Sequence, residues 1–326
     1  MKRFLSLLAA LLIAAASPPA ASADATTYPT RAIRIVVPFA PGSAADVTAR
    51  LLAPGLSRDL GQPVVVDNRA GAAGIVGTDV GGRSAPDGYT LVLGTSNTHG
   101  LNSGIYKALP YDPLEGFVPI GRINAFANVL VVPPGLGVNS MAELIALARR
   151  PGHSLSYASA GRGTSLHLAG EMFRRSAGIE LLQVSYKDTS TYVTDVLAGR
   201  VDMVFMAVPV AAAHVRAGKL KALAIIGAQR SPLLPEVPTI DETGVTGMQL
   251  PIWVGLFAPK GTPAPIALRL NAALRAAQAS PDTRAALQRA GSTIESDASP
   301  ADFLAFLRTD VPASIQRARD AGIEPE

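Results

Sequence analysis

Short runs of β-branched and other apolar residues alternate with alanine-rich stretches along most of this 326-residue chain. Each run is nearly continuous in apolar side chains, as expected for strands that are buried on both faces. Alternation of strand and helix predicts an α/β fold with parallel sheets and right-handed crossovers. The predicted strands are 33–37, 64–66, 89–93, 129–132, 154–158, 181–185, 201–205, 223–226 and 254–258.

The alternation stops after the last of these strands. Helices that begin near Pro263, Pro281 and Pro300 then follow one another, with only a weak strand at 292–295 between them. These helices indicate a layer that packs back on a sheet formed earlier in the chain. A discontinuous first domain is therefore predicted. Two domains also agree with the length, because about 300 residues exceed the usual size of a single hydrophobic core.

The first residues have the pattern of a secretory signal peptide. Lys2 and Arg3 precede an apolar stretch at 4–16, which is too short to span a bilayer, and small residues at 21–23 match the site that a signal peptidase cleaves. We predict a signal peptide at 1–23, cleavage after Ala23 and export to the periplasm. The alternative is an uncleaved anchor. No cysteine occurs, which excludes a lipoprotein, disulfides and cysteine catalysis.

Charge and histidine spacing exclude further classes of function. Without Lys2 and Arg3 the chain has 27 basic residues against 25 acidic ones, and they are scattered rather than gathered in a stripe with aromatics. Nucleic-acid binding is therefore not expected. The four histidines lack the spacing of zinc ligands, so we predict no metal site. No cofactor is predicted either. The histidines are His99, His153, His167 and His214.

Three predicted strands run into loops of small residues that precede helices, at 38–46, 94–99 and 159–165. In open parallel sheets, ligands bind outside the carboxyl ends of the strands, where such loops converge. Helix N-termini expose unpaired N–H groups and the positive end of the peptide dipoles, so they attract anions. Each loop taken singly is more often an ordinary N-cap or turn. Together the three loops predict a site for a carboxylate.

The side chains of these loops suit such a site. Gly42, Gly161 and Gly163 allow a ligand to approach the backbone closely. Hydroxyl groups there can donate to a carboxylate, and charge-assisted bonds of this kind suffice without a buried lysine or arginine. The hydroxyl-bearing residues are Ser43, Thr95, Ser96, Ser159 and Thr164.

The sequence does not favour an enzyme. It contains no Gly-x-Ser-x-Gly motif, and no general base is recognisable beside Thr95, Ser96 or Thr164. The segment from Gly161 to Leu166 lacks the third glycine of a dinucleotide-binding fingerprint. A secreted α/β hydrolase remains the alternative to a binding protein.

Several short motifs follow one another in a fixed order along the chain. They include Ile-Arg-Ile-Val-Val-Pro-Phe-Ala-Pro-Gly at 33–42 and Gly-Leu-Phe-Ala-Pro-Lys-Gly-Thr-Pro at 255–263. Others lie at 28–29, 61–74, 86–91, 157–161, 167–171, 199–202 and 218–224. In this order they resemble the Bug family of extracytoplasmic solute receptors, the binding subunits associated with tripartite tricarboxylate transporters.

The resemblance implies a type II periplasmic-binding-protein fold. Its two lobes each have a mostly parallel sheet flanked by helices, and a hinge of two segments joins them. On this basis we predict that lobe 1 comprises 24–123 and 253–326 and that lobe 2 comprises 124–252. The ligand is expected between the lobes, and closure over it is expected to favour docking on integral-membrane permease subunits or a sensor role. A monomer is expected.

The resemblance also implies that backbone N–H groups and bridging waters hold the ligand carboxylate. The residues at matching positions are Phe39, Pro41, Gly42, Ser43, Asp46, Thr95, Ser96, Asn97, Ser159, Ala160, Gly161, Gly163, Thr164 and Asp202. Asp202 is expected to accept from bridging waters or a ligand amine. A structural hydrogen bond to a loop is the equal alternative for it.

Three differences from the family pattern fall near this site. Gly42-Ser43 replaces the usual pair of glycines, Arg162 lies between two loop glycines and can reach a second carboxylate, and the loop at 183–188 is altered in shape and charge. The ligand is therefore left open between di- or tricarboxylates, amino acids and aromatic acids.

Overall fold

The structure is a computed structural model that describes residues 28–186, 189–250, 252–297 and 299–325. The predicted signal peptide at 1–23 and two residues of the altered loop, Lys187 and Asp188, lie outside the described residues. Within the described ranges, no helix has the length and apolar character needed to cross a membrane.

The order of elements follows the predicted alternation of strand and helix except at two places, where β4 leads directly into β5 and where no α-helix separates β9 from β10. The strands are β1 (Ile33–Val37), β2 (Val64–Asn68), β3 (Thr90–Thr95), β4 (Phe117–Phe126), β5 (Asn128–Val132), β6 (Leu155–Ser159), β7 (Leu181–Ser185), β8 (Met203–Ala207), β9 (Lys221–Ile226), β10 (Ile252–Pro259) and β11 (Thr293–Ile294).

Three helices follow one another in the C-terminal part of the chain, as its prolines predicted. The helices are α1 (Ala44–Leu60), α2 (Ile75–Gly82), α3 (Asn102–Ile105), α4 (Met141–Ala148), α5 (Ser165–Ala177), α6 (Thr189–Leu197), α7 (Val208–Arg216), α8 (Ala264–Ala279), α9 (Pro281–Arg289) and α10 (Pro300–Asp320).

Two sheets organise the described residues. The six-stranded sheet has the order β11-β4-β10-β3-β1-β2, and the five-stranded sheet has the order β7-β6-β8-β5-β9. In the first sheet β10 lies antiparallel between β3 and β4, and in the second β5 is antiparallel to both neighbours. The predicted α/β architecture is confirmed, and both sheets are mixed.

The direction of these antiparallel strands follows from how the chain passes between the sheets. The end of β4 is joined to β5 through Ala127 alone, and β10 returns the chain to the six-stranded sheet. A strand that enters a sheet at the edge where its neighbours end must run against them. The predicted lobe boundary at 123/124 falls inside β4, and the one at 252/253 falls inside β10. The lobe ranges stay a prediction.

Apolar packing covers both sheets and also connects them. Strand β1 packs through Ile33 and Ile35 against α1 and α8 in one buried cluster. The first part of α10 packs Phe303 against the aromatic side chains of β10. Its end and the residues after it, Ala318 and Ile323, are buried with α3 in the core cluster of the five-stranded sheet. Helix α10 therefore contributes to the cores of both sheets.

Candidate ligand-binding cleft

A cleft of 520 Å³ lies between the two sheets. Residues at or just beyond the carboxyl ends of five strands line it: Pro38 after β1, Thr95 in β3, Phe126 in β4, Ala160 after β6 and Ala207 in β8. This is where the sequence predicts a ligand site, because loops that follow parallel strands converge at that edge.

Two helix N-termini face the cleft, one from each sheet. Helix α1 begins after Ser43, whose Oγ accepts from the Asp46 N–H at 3.3 Å. Helix α5 begins after Thr164, whose Oγ1 accepts from the His167 N–H at 3.4 Å. Residues of both first turns line the cleft, so unpaired N–H groups and the positive dipole ends favour an anion there.

A fourth small-residue turn, at 70–74, lines the same cleft and was not predicted as part of the site. Ala72 and Ala73 have φ values of 45° and 51°, a left-handed conformation that non-glycine residues rarely adopt. At Gly74, a Cβ atom would lie 2.7 Å from Thr98 Cγ2 and 3.1 Å from Phe39 Cζ. The signal was present in the sequence, because this turn also joins a strand, β2, to a helix, α2.

More than half of the predicted site residues line the cleft, namely Phe39, Ser43, Thr95, Asn97, Ala160, Gly161, Arg162 and Thr164. The structure therefore brings together residues of all three predicted loops. The remaining ones, Pro41, Gly42, Asp46, Ser96, Ser159, Gly163 and Asp202, lie outside the lining. Asp46 and Ser159 hold loops in place instead.

Asp46 holds the loop at 38–46 in place through a hydrogen bond to its backbone. Its buried carboxylate accepts from the Gly42 N–H at 2.9 Å, so that N–H is already occupied. Arg50 and Asn68 donate to the same carboxylate. Burial alone would raise the pKa of Asp46, but the hydrogen bonds from Arg50, Gly42 and Asn68 outweigh it and hold the pKa below its ordinary value. Asp46 therefore stays ionised and fixes the loop.

The loop after β6 is held in a similar way. Ser159 Oγ accepts from the Gly161 N–H at 3.3 Å and from Gln183 Nε2 at 2.8 Å. Thr164 Oγ1 donates to the Gly161 carbonyl at 2.8 Å. The hydroxyl groups of Ser159 and Thr164 therefore order this loop, and the first-turn N–H groups of α5 remain as its donors to an anion.

Asp202 lies at the wrong end of its strand to meet a ligand in the cleft. It precedes β8, whose carboxyl end lines the cleft, so about 16 Å of strand separates the two at 3.3 Å per residue. Its carboxylate accepts from the Ser156 N–H and hydroxyl, both at 2.7 Å. Asp202 therefore makes a structural hydrogen bond, to strand β6 rather than to the loop considered as the alternative, and this corrects the ligand contact expected for it.

Other lining residues were missed because they lie outside the small-residue loops. They are mainly apolar or aromatic: Tyr106, Phe126, Leu166, Tyr186, Tyr192, Val210 and Ile252. Asn128 is polar, 1% exposed, and its Nδ2 has no hydrogen-bond partner among the described residues. An asparagine that opens the apolar run of β5 was the signal that could have found it, because buried polar groups normally have partners.

Helix α3 and the residue after it connect two of the binding loops. Asn102 Nδ2 donates to the Ala73 carbonyl at 3.2 Å, and the Tyr106 hydroxyl donates to the Arg162 carbonyl at 3.1 Å. A Cβ atom on Gly163 would lie 2.9 Å from the Tyr106 ring. The turn at 70–74 and the loop at 160–164 are therefore held in register by one short segment.

Replacing Tyr106 by phenylalanine is expected to weaken carboxylate binding about fivefold, because one hydrogen bond of about 1 kcal/mol that positions the 160–164 loop is lost. The change should appear as faster dissociation in stopped-flow fluorescence, with a loss of at most about 1 kcal/mol in folding stability. Tyr28→Phe is the matched control, because the Tyr28 hydroxyl donates to the Gly88 carbonyl at 2.6 Å, outside the cleft lining. Equal dissociation rates for both variants would contradict the positioning role.

His99 is buried behind the loop that follows β3. Its ring stacks on Phe257 with centroids 3.9 Å apart, and its Nδ1 lies 2.9 Å from Thr98 Oγ1. Burial lowers the pKa of His99 to about 3. The imidazole is therefore neutral at physiological pH and contributes packing rather than charge to the site.

The protein is expected to lose about 2 kcal/mol of folding free energy through His99 between pH 7 and pH 5. The unfolded chain takes up the proton near pH 6.5, whereas the folded protein resists it until about pH 3, so this stability is lost as the pH falls below 6.5. Urea unfolding at both pH values should show this difference. In His99→Phe, which keeps the stacking on Phe257, the difference should shrink by that amount; an unchanged difference would contradict the assignment.

Comparisons with known proteins give a consistent result. The family model described as the tripartite tricarboxylate transporter family receptor matches residues 48–306. A UPF0065 protein from the tcbD-tcbE intergenic region of Pseudomonas sp. (strain P51) is 42% identical over 267 residues, which cover 81% of this chain and 79% of that protein. Protein BugT of Bordetella pertussis is 41% identical over 254 residues, covering 77% and 78%.

Solved structures share the same fold. The periplasmic binding protein BugD has a TM-score of 0.86 at 33% identity, covering 92% of this chain and 100% of its own. Rpa4515 of R. palustris, solved with adipate, has a TM-score of 0.87 at 34% identity over the same shares. MatC of Rhodopseudomonas palustris, with bound malate, has a TM-score of 0.83 at 29% identity, covering 89% and 99%.

Proposed function

Because the chain belongs to the tripartite tricarboxylate transporter receptor family, we propose that it is a periplasmic receptor that binds a small carboxylate in the cleft between its two sheets. The observation that carries the proposal is the pair of helix N-termini, of α1 and α5, that face one cleft from opposite sheets. Structures of similar proteins hold adipate and malate, which are carboxylates.

The energetics suit a transport receptor. Charge-assisted hydrogen bonds contribute about 1.5–3 kcal/mol each, so a few of them reach the roughly −8 kcal/mol of micromolar binding. The donors proposed here are the first-turn N–H groups at Ala44, Ala45, Ser165 and Leu166, which line the cleft. Asn128 Nδ2 adds a buried side-chain donor. The other contacts with the ligand are proposed to come from the site residues that were predicted from the sequence and that line the cleft.

Closure of two lobes over the ligand is part of the proposal. Lobe 1 would comprise 24–123 and 253–326 and lobe 2 would comprise 124–252, with the hinge at the two crossings near Ala127 and Ile252. Ligand stabilises the closed state by its differential affinity for that state. Contacts with both α1 and α5 supply such a difference, because they form together only when the lobes are close.

The cellular role follows from the family. Receptors of this family work with tripartite tricarboxylate transporters, so the closed protein is proposed to deliver its ligand to integral-membrane permease subunits. If no permease takes part, the ligand-bound protein is proposed to act as a sensor instead. Export by cleavage after Ala23 and a monomeric state are proposed with it.

A secreted hydrolase is the competing function, and the structure offers nothing that favours it among the residues it describes. The buried His99 contacts Thr98, and Thr98 Oγ1 lies outside the cleft lining. The two functions differ in one measurable outcome. A hydrolase consumes its ligand, whereas a receptor is stabilised by a ligand that stays intact.

A thermal-shift screen of the purified mature protein against a carboxylate library tests the receptor function. A ligand at one hundred times its dissociation constant should stabilise the fold by about 2.7 kcal/mol. Chromatography of the mixture should then recover the ligand unchanged. Turnover of generic esters, or the absence of any shift across the library, would contradict the proposal.

A further inference from the structure

The lining of the cleft narrows the class of ligand. We infer that the ligand is an aromatic monocarboxylate, with its single carboxylate at the helix N-termini and its ring between apolar walls. This inference rests on the proposed function, because it concerns the same cleft. It selects one of the three ligand classes that the sequence leaves open.

Two kinds of polar group in the cleft can hold a carboxylate, namely helix N-termini and the side chain of Asn128. Helices α1 and α5 have 17 and 13 residues, long enough for a developed dipole at each N-terminus. Asn128 lies 1% exposed in the lining, and its Nδ2 has no partner among the described residues. A buried donor without a partner, in a residue that lines a cleft, indicates an acceptor supplied when a ligand binds.

The walls of the cleft are apolar on both sides. On the side of the six-stranded sheet, the cleft is lined by Phe39, Phe126 and Ile252. On the side of the five-stranded sheet, it is lined by Leu166 and Val210. A flat apolar body placed between these walls would be removed from water on both faces. This arrangement suits a ring better than a chain that carries polar groups along its length.

Two tyrosines in the lining present carbon surface rather than hydroxyl groups. The Tyr186 hydroxyl donates to Asp195 Oδ2 at 2.8 Å, and the Tyr106 hydroxyl donates to the Arg162 carbonyl at 3.1 Å. Tyr186 also forms an edge-on pair with Tyr192, whose centroid lies 6.4 Å away. Because these hydroxyl groups are already engaged, the rings remain available for stacking on an aromatic ligand.

The charges of the lining disfavour the other two ligand classes. Among the lining residues that the structure describes, Arg162 carries the single ionisable charge, and its Nη2 donates to the Glu324 carbonyl at 3.4 Å. No carboxylate of the described lining residues is available to an ammonium group. An ammonium group would therefore lose water against apolar walls with little compensation, and a second carboxylate would find compensation only at Arg162, which already donates to the Glu324 carbonyl.

The test is isothermal titration of the purified mature protein with benzoate, adipate, glutamate and citrate under identical conditions. Benzoate is expected to bind at least about tenfold more tightly than the other three, since desolvating a second charge against apolar walls costs more than about 1.4 kcal/mol. Tighter binding of adipate, glutamate or citrate than of benzoate would overturn the ligand class and leave the receptor function standing. Binding of none of the four, together with no shift in the library screen, would overturn both.

Val210 provides a variant that tests the apolar wall without a change of shape. Val210→Thr replaces a methyl group by a hydroxyl group and should weaken benzoate binding about fivefold, by polarity alone. Val215→Thr is the matched control, because Val215 lies on the same helix, α7, is also partly buried, and does not line the cleft. The control should bind benzoate within about twofold of the wild type. Equal benzoate affinities for both variants would overturn the placement of the ring.

Discussion

Replacement of Gly161 by leucine is expected to abolish carboxylate binding, with a loss of at least about 100-fold in affinity, or about 2.7 kcal/mol. Gly161 lines the cleft, and a Cβ atom built on it meets no other atom within 4 Å, so the new side chain would extend into the space of the ligand. Its φ of 95° is also unfavourable for leucine, which should reduce the stability of the unliganded protein by about 1–2 kcal/mol. Isothermal titration and urea unfolding measure the two effects.

Gly152→Leu separates the loss of binding from the backbone strain. Gly152 lies in an exposed turn before β6, has a φ of 80°, and a Cβ atom added to it would likewise meet no atom within 4 Å. This control should show the same decrease in stability with unchanged ligand affinity. Full binding by the Gly161 variant would show that the ligand lies elsewhere in the protein.

Replacement of Asp310 by alanine is expected to reduce the free energy of unfolding by about 3–5 kcal/mol, because it leaves buried donors and a charge without their partner. Asp310 is 6% exposed and accepts from Trp253 Nε1 at 2.8 Å and from Arg317 at 3.1 Å. The bond from Trp253 joins α10 to β10, the bond from Arg317 lies within α10, and the Trp253 carbonyl in turn accepts from the Ser96 N–H of a cleft loop. Urea unfolding measures the loss.

Two further variants show whether the cause is the buried network. Asp310→Asn keeps an acceptor for Trp253 and should lose only about half as much, since the ion pair alone is removed. Asp320→Ala removes an acid from the exposed end of the same helix and should change stability by no more than about 0.5 kcal/mol. Similar losses for the 310 and 320 variants would indicate a general effect of charge on α10 rather than a loss of this network.

Most strands were predicted because their own residues determine them. The runs at 33–37 and 181–185 coincide with β1 and β7, and the proline-initiated helices from Pro263 and Pro300 are present as α8 and α10. Apolar continuity and proline position are local properties, so they can be read without knowledge of the fold.

Strand β4 was not predicted, because Pro119, Gly121 and Arg122 interrupt its apolar pattern. Tertiary contacts stabilise it instead. Arg122 is paired with the buried Asp297, whose carboxylate also accepts the Arg122 N–H at 2.7 Å. A partner 175 positions away cannot be inferred from the local sequence.

The sequence by itself determined the elements, the small-residue loops at strand ends and the helix N-termini, because each depends on residues adjacent in the chain. Only the tertiary structure decided which groups face the ligand. It turned Asp46 inward to hold Gly42, placed Asp202 at the distant end of β8, and brought Asn128 and Tyr186 into the lining. The orientation of a side chain depends on contacts with distant segments, and those contacts exist only after the two sheets have packed.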